Sequence, residues 1–380
     1  MLKEIKNIWL NSDTRLKVGT KLLTVSILLI LCLPFILTRR SLFGIDFSNS
    51  GQIGDTIGGI IGPFIAIIAA ILTFLAFWIQ YQANQIQIKN FDEQRKDIQI
   101  ERFQNKFYEL LKLHRENVSD ILNGSDKDVN YFKESFDDLK NVHSTVEKNY
   151  IENEKANRGK NDNNSLELRE KIISIAYSIF WLGIDLESRK VIHDLFKKHF
   201  DPMFISKVFE SFDDLLFRYG DYKIKNTATP IIHYTDMSNN PRTIMLDRIF
   251  FREHSSKMGH YFRHIFQTIK FIDGYSVNVL SQKDKYDYAK NLRAQLSNYE
   301  QLLLYYNSLS PFGKPWLEIP KNQNDSSLCC FLHKYKMIKN IPLPLATIGV
   351  RPEEVFKKEI ALLKKDGDYL FEWHEIVSRQ

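Results

Sequence analysis

Between Asp55 and Lys89 the chain carries no charged residue, and the apolar part of this run, Ile57 to Ile79, is longer than a helix needs to cross a bilayer core. A second uncharged run, Leu22 to Leu37, spans about 28 Å when taken from Thr20 to Thr38 at 1.5 Å per residue. A cleavable leader is the competing reading of the first run, because Lys3, Lys6, Arg15, Lys17 and Lys21 precede it. The residues after Leu37 are Thr38, Arg39 and Arg40, which offer no small-x-small cleavage site. Two membrane helices are therefore expected. Five basic residues precede the first run, Arg39 and Arg40 lie between the two, and Lys89, Arg95, Lys96 and Arg102 follow the second. This bias predicts that both termini are cytoplasmic.

The expected fold is mainly α: an N-terminal two-helix transmembrane hairpin, a long membrane-exit helix, and a cytoplasmic α-helical bundle with at most a small β-hairpin. The expected boundaries are 1–19 for a cytoplasmic N-terminal segment, 20–38 and 56–82 for the transmembrane helices, and 39–55 for a short external loop. A long stalk and core helix follows at 83–123, a partly mobile insertion at 124–165, and a cytoplasmic helical domain at 166–380. The remaining composition suits a packed body, with 26% charged and 44% hydrophobic residues. Three cysteines are too few for a disulfide framework and fit a reducing compartment.

In the second run Gly54, Gly58, Gly62, Ala66 and Ala70 recur every four residues. In lipid such a stripe permits close backbone approach, either to the first helix of the same chain or to another copy, giving a homo-oligomer. Pro63 in this run reads either as a kink or as a helix start. Farther on, Ile100, Phe103, Phe107, Leu110, His114 and Ile121 have the spacing of a buried helical seam. Helical periodicity also covers 166–182, 191–200, 204–219, 244–273 and 286–309. The polar run Glu152 to Ser165 reads as a mobile loop. Thr227 to Thr235, followed by the turn signal SNNP, reads as a small hairpin.

No phosphate loop, GxSxG elbow, HExxH helix or CxxC pair is present, and neither a cofactor nor a metal is indicated. A formal net charge of +6 without a dense lysine cluster does not point to nucleic acid. His114, with Asn117 nearby, reads as a hydrogen-bonded core histidine or as a ligand residue. His260 and His264 share a helix face beside Arg263 at metal-binding spacing, yet nothing nominates a third ligand. Arg248 and His254 match the minimal pattern of HEPN-type ribonucleases, which need no metal. There the histidine takes a proton from a ribose hydroxyl and the arginine steadies the phosphate. Arg293, Gln295, Ser297 and Glu300 crowd two helical turns, as a buried polar network or as a pocket for a small ligand or protein trigger.

Five stretches resemble the phage abortive-infection family related to the lactococcal abortive-infection protein C. They are Gly62-Pro63, AFWIQYQAN (Ala76 to Asn84), FYELLKLHRENV (Phe107 to Val118), HYFRHIFQTIKFID (His260 to Asp273) and LRAQLSNYEQLLLYYNSLS (Leu292 to Ser310). The resemblance implies antiphage defence at a bacterial inner membrane, in which infection arrests or kills the host. It also implies a phage-derived trigger or an operon-encoded defence partner, since some similar proteins resemble retron effectors held inactive until a phage product acts. Residues matching its blocks are His114, Asn117, His260, Arg263, His264, Asp273, Arg293, Gln295, Ser297, Glu300 and Asn307; no catalytic role comes with them. Three mechanisms stay open: an effector that oligomerises and disrupts the bilayer, a membrane-tethered ribonuclease, and a non-catalytic scaffold for a partner defence protein.

Overall fold

A computed structural model of the chain describes residues 51–123, 131–157, 165–225, 229–318, 330–365 and 367–378, together with positions 18, 19, 21, 22, 24–29, 32 and 35. The chain is mainly helical and forms two compact units, residues 1–99 and 100–380. Helix α1, Gly51–Asn123, contributes to both. Among the described residues it is the one helix long and apolar enough to cross a membrane.

In the first unit, the described positions between 18 and 35 are helical, while most of the region read as the external loop lies outside the described residues. The helix already begins at Gly51, inside the range 39–55 read as loop, and continues through Pro63, so that proline does not mark its start. Large apolar side chains are exposed along this part of α1, including Ile60, Phe64, Ile67, Ile71, Phe74 and Phe77. Thr73 Oγ1 donates to the Ala69 carbonyl at 2.8 Å, and Ser26 Oγ to that of Leu22 at 2.8 Å. Such bonds satisfy a hydroxyl without water. A Cβ built on Gly54, Gly58, Gly59 or Gly62 meets no described atom within 4 Å, whereas one on Gly19 would lie 4.0 Å from Leu75 Cδ1.

The second unit packs around α2, Tyr131–Asn157, which contacts α3 (Leu166–Leu182), α5 (Pro202–Lys225) and α8 (Asn298–Ser308). Helix α3 is buried on nearly every face, from Ile172 to Trp181, as its unbroken apolar sequence requires. Helix α4, Leu186–Phe196, joins α3 to α5; Asp185 caps its first turn. Strands β1 (Ile231–Thr235) and β2 (Pro241–Met245) form one antiparallel hairpin with Ile232 opposite Ile244. Helices α6 (Ser255–Asp273) and α7 (Gln282–Arg293) precede α8. After it come the short helices α9 (Phe331–Lys334), α10 (Pro352–Val355), α11 (Lys357–Lys365) and α12 (Glu372–Ser378). The seam of α1 is largely realised: Phe103 and Phe107 are fully buried, with His114 and Ile121 nearly so.

Three expected boundaries change. The stretch 286–309 is two helices, because Ser297 adopts an extended backbone and forms a capping box with Glu300 at the start of α8. The stretch 244–273 is helical only from Ser255; Ile244 and Met245 complete β2. The insertion 124–165 contains α2, which runs to Asn157 and so includes the beginning of the polar run read as a loop. Its polar end is held by partners: Lys148 pairs with Glu152 at 3.1 Å, and Lys207 on α5 donates to Asn153 at 3.3 Å. Residues 124–130 and 158–164 lie outside the described residues.

Candidate functional site

Arg248 and His254 sit in the loop between β2 and α6, where they meet at a residue that sequence spacing did not nominate, Asp138 of α2. Arg248 Nε donates to Asp138 Oδ1 at 2.7 Å, and its Nη2 donates to the Glu134 carbonyl at 3.2 Å. His254 Nε2 lies 3.6 Å from Asp138 Oδ2. The ring is buried, stacked on Phe180 with centroids 4.2 Å apart. Its Nδ1 is 3.2 Å from the Tyr131 hydroxyl, which burial, with Asp138 and Glu253 nearby, pushes up to about 12. At that value the hydroxyl keeps its proton, and which group donates in this contact follows the imidazole tautomer. The cluster ties α2 to the β2–α6 loop.

The histidines of FYELLKLHRENV and HYFRHIFQTIKFID come together. His264 Nε2 donates to the Leu110 carbonyl at 2.9 Å and stacks on His114, with ring centroids 6.1 Å apart. Neither nitrogen of His114 has a hydrogen-bond partner, and burial, with His264 and Arg115 close by, lowers its pKa to about 4. Asn117 is half-buried on the same helix. His260 is exposed, one turn before His264. Among the described residues no three metal-ligating side chains cluster.

Polar residues of HYFRHIFQTIKFID and LRAQLSNYEQLLLYYNSLS form a largely buried framework. Glu300 accepts from the Ser297 backbone N–H and from the Tyr261 hydroxyl, both at 2.6 Å, joining α8 to α6. Arg293, at the end of α7, donates to the carbonyls of Tyr335 and Lys336 at 3.3 and 2.9 Å. Asp273 accepts from Lys334 Nζ and from the Tyr335 hydroxyl, each at 2.6 Å. Gln295 stays near the surface and accepts from Arg115 Nε at 3.2 Å. Asn307 Nδ2 donates to Tyr177 at 3.0 Å. A side chain on Gly313 would place its Cβ 2.3 Å from the Asn307 carbonyl oxygen, so only glycine lets the chain pass here.

Beside Asn307 opens a cavity of about 460 Å³ whose walls include Trp181, Phe262, Phe266, Phe312 and Trp316. Arg263 and Gly259 of α6 complete it. Spacing gave no sign of this pocket, because its aromatic residues come from α3, α6 and the turn after α8. A larger cleft, about 720 Å³, lies between α2, the hairpin and the segment before α10. Its charges largely satisfy one another: Arg169 pairs with Glu354 at 2.8 Å, Arg242 with Asp236 at 2.8 Å, and Glu147 accepts from Tyr234 at 3.0 Å. Burial lowers the pKa of His143 on its floor.

No curated protein and no solved structure matches the chain. A family model described as "Putative phage abortive infection protein" matches residues 253–344. That segment runs from the start of α6 past α9. It holds the Glu300 and Asp273 contacts and every residue named above in the aromatic cavity except Trp181. It is over this segment that the resemblance read from the sequence is supported.

Proposed function

We propose that the protein is a membrane-anchored antiphage effector whose helical body, residues 100–380, faces the bacterial cytoplasm and responds to a phage-derived trigger or an operon-encoded partner. The hairpin then associates between copies and disrupts the inner membrane. The observation that carries this reading is the exposed apolar surface of α1. Side chains such as Phe64, Phe74 and Phe77 are about two-thirds exposed, and each costs roughly 1 kcal/mol or more if left in water. Lipid removes that cost. The proximity of Gly19 to Leu75 suits two antiparallel spans, and the lack of any described atom within 4 Å of a Cβ on Gly58 or Gly62 suits a second helix backbone there.

Replacing Gly58 and Gly62 together by leucine holds helix backbones apart while leaving the body untouched. Expression of this variant during infection is expected to leave the membrane potential intact, whereas wild type collapses it; a potential-sensitive dye read in parallel cultures checks this. Depolarisation by the double variant equal to wild type removes the assembly step.

A second reading, a membrane-tethered ribonuclease, draws on the meeting of Arg248 and His254 at Asp138. The burial of the histidine ring weighs against it. Host and phage RNA is accordingly expected to stay intact during arrest. RNA cleavage present in wild type and lost in His254→Ala, with the variant still folded by circular dichroism, would reverse the order of the two readings. A scaffold, by contrast, would leave growth and membrane potential unaffected even at high expression.

A further inference from the structure

We propose that the aromatic cavity beside α6 is a binding site for a single nucleotide, its planar ring stacked on Phe312, the most exposed ring of the wall, and its phosphate on the Arg263 guanidinium. Three observations converge on this chemistry. First, the walls are π-surfaces: Trp181 and Phe312 lie within 29° of parallel at 6.0 Å between centroids, and Phe266 stands edge-on to Trp316 at 5.1 Å. Such surfaces take up a flat heteroaromatic ring through stacking, largely irrespective of base identity.

Second, the cation is unspent. Arg263 is exposed, and its Nε donates to the Gly259 carbonyl at 3.0 Å within its own helix. Among the described residues no carboxylate lies within ion-pairing distance of it. Its remaining N–H donors have the planar fork that suits a phosphate or carboxylate. Third, Gly259 is a glycine inside α6, where it costs about 1 kcal/mol of helix propensity relative to alanine. A Cβ there would lie 3.4 Å from Arg263 Nη2 and 3.8 Å from Trp181 Cζ2. The guanidinium and the indole thus flank this position at ordinary van der Waals distance.

The volume selects among anionic aromatic ligands. About 460 Å³ holds one nucleoside phosphate. A polynucleotide strand would also need a basic track, which a net charge of +6 without lysine clustering does not supply. The proposal stands on the pocket alone and holds or fails whatever the membrane reading does.

The test is calorimetric titration of the full-length chain in lipid nanodiscs with adenosine, guanosine, cytidine and uridine monophosphates. Adenosine alone, inorganic phosphate alone, tryptophan and a short single-stranded oligonucleotide serve as comparison ligands. At least one monophosphate is expected to bind in the micromolar range, about tenfold or more tighter than nucleoside or phosphate alone. Arg263→Gln should weaken it about tenfold without shifting the melting temperature, since the arginine is exposed and its loss strands no buried group. Phe312→Ala, at a ring 37% exposed, should also weaken it severalfold. The proposal is overturned by no monophosphate binding up to about 1 mM, by affinity unchanged in both variants, or by tighter binding of tryptophan or the oligonucleotide than of every monophosphate.

Discussion

Replacing Glu300 by alanine is expected to destabilise the helical body by roughly 3 kcal/mol. The carboxylate does two things at once. One oxygen accepts from the Ser297 N–H and closes the capping box that starts α8; the other accepts from the Tyr261 hydroxyl on α6. Truncation removes a cap, worth about 1 kcal/mol, and leaves a completely buried phenol without a partner, worth about 1–3 kcal/mol more. Burial and the neighbouring carboxylate hold the Tyr261 pKa far above its ordinary range, so the hydroxyl cannot escape by ionising. Glu300→Gln keeps one acceptor and should lose only about a third as much. Chemical denaturation of the full chain in detergent, followed by near-ultraviolet circular dichroism, reads the difference. A double-mutant cycle with Tyr261→Phe should give a coupling of at least about 1 kcal/mol. Additive losses would show that the two residues do not share the work.

The Glu300 box is written in the sequence but masked by the periodicity around it. S-N-Y-E at 297–300 is a capping-box pattern, but apolar periodicity continues on both sides of it, and periodicity alone reads 286–309 as one helix. A strong local cap outweighs a continuous pattern there. The α1 seam could be read because Phe103, Phe107, His114 and Ile121 repeat within one helix, where spacing maps directly onto a face. The hairpin could be read because SNNP follows the β-branched run 227–235, although the last two residues of its second strand, Ile244 and Met245, fall inside the helical periodicity of 244–273. Asp138 and the aromatic cavity could not be read. Asp138 is more than a hundred residues before its partners, and Trp181, Phe262 and Trp316 have the apolar character of any core residue. Only tertiary packing distinguishes a ring that lines a cavity from one that fills the interior.

His114 supplies the second large effect, this time in pH. Its ring is 1% exposed, both nitrogens lack partners, and its pKa in the folded chain is about 4 against an ordinary 6.5. The folded state therefore resists protonating it while the unfolded chain does not. For a base depressed by folding, the stabilising difference is complete above pH 6.5 and is lost as pH falls from there toward 4, because the unfolded state binds the extra proton. Between pH 7.5 and 4.5 the loss is about 2.5 kcal/mol. His143 and His333 are also lowered by burial and add the same sign, so wild type alone does not isolate the effect. His114→Phe does: the ring retains its stacking against His264 and Tyr261, the charged neighbour Arg115 stays in place, and two unsatisfied nitrogens vanish. The variant is expected to be at least as stable as wild type at pH 7.5 and to exceed it by about 2.5 kcal/mol more at pH 4.5. Parallel pH profiles for the two proteins would mean that acid sensitivity resides elsewhere, with His143 the next residue to replace.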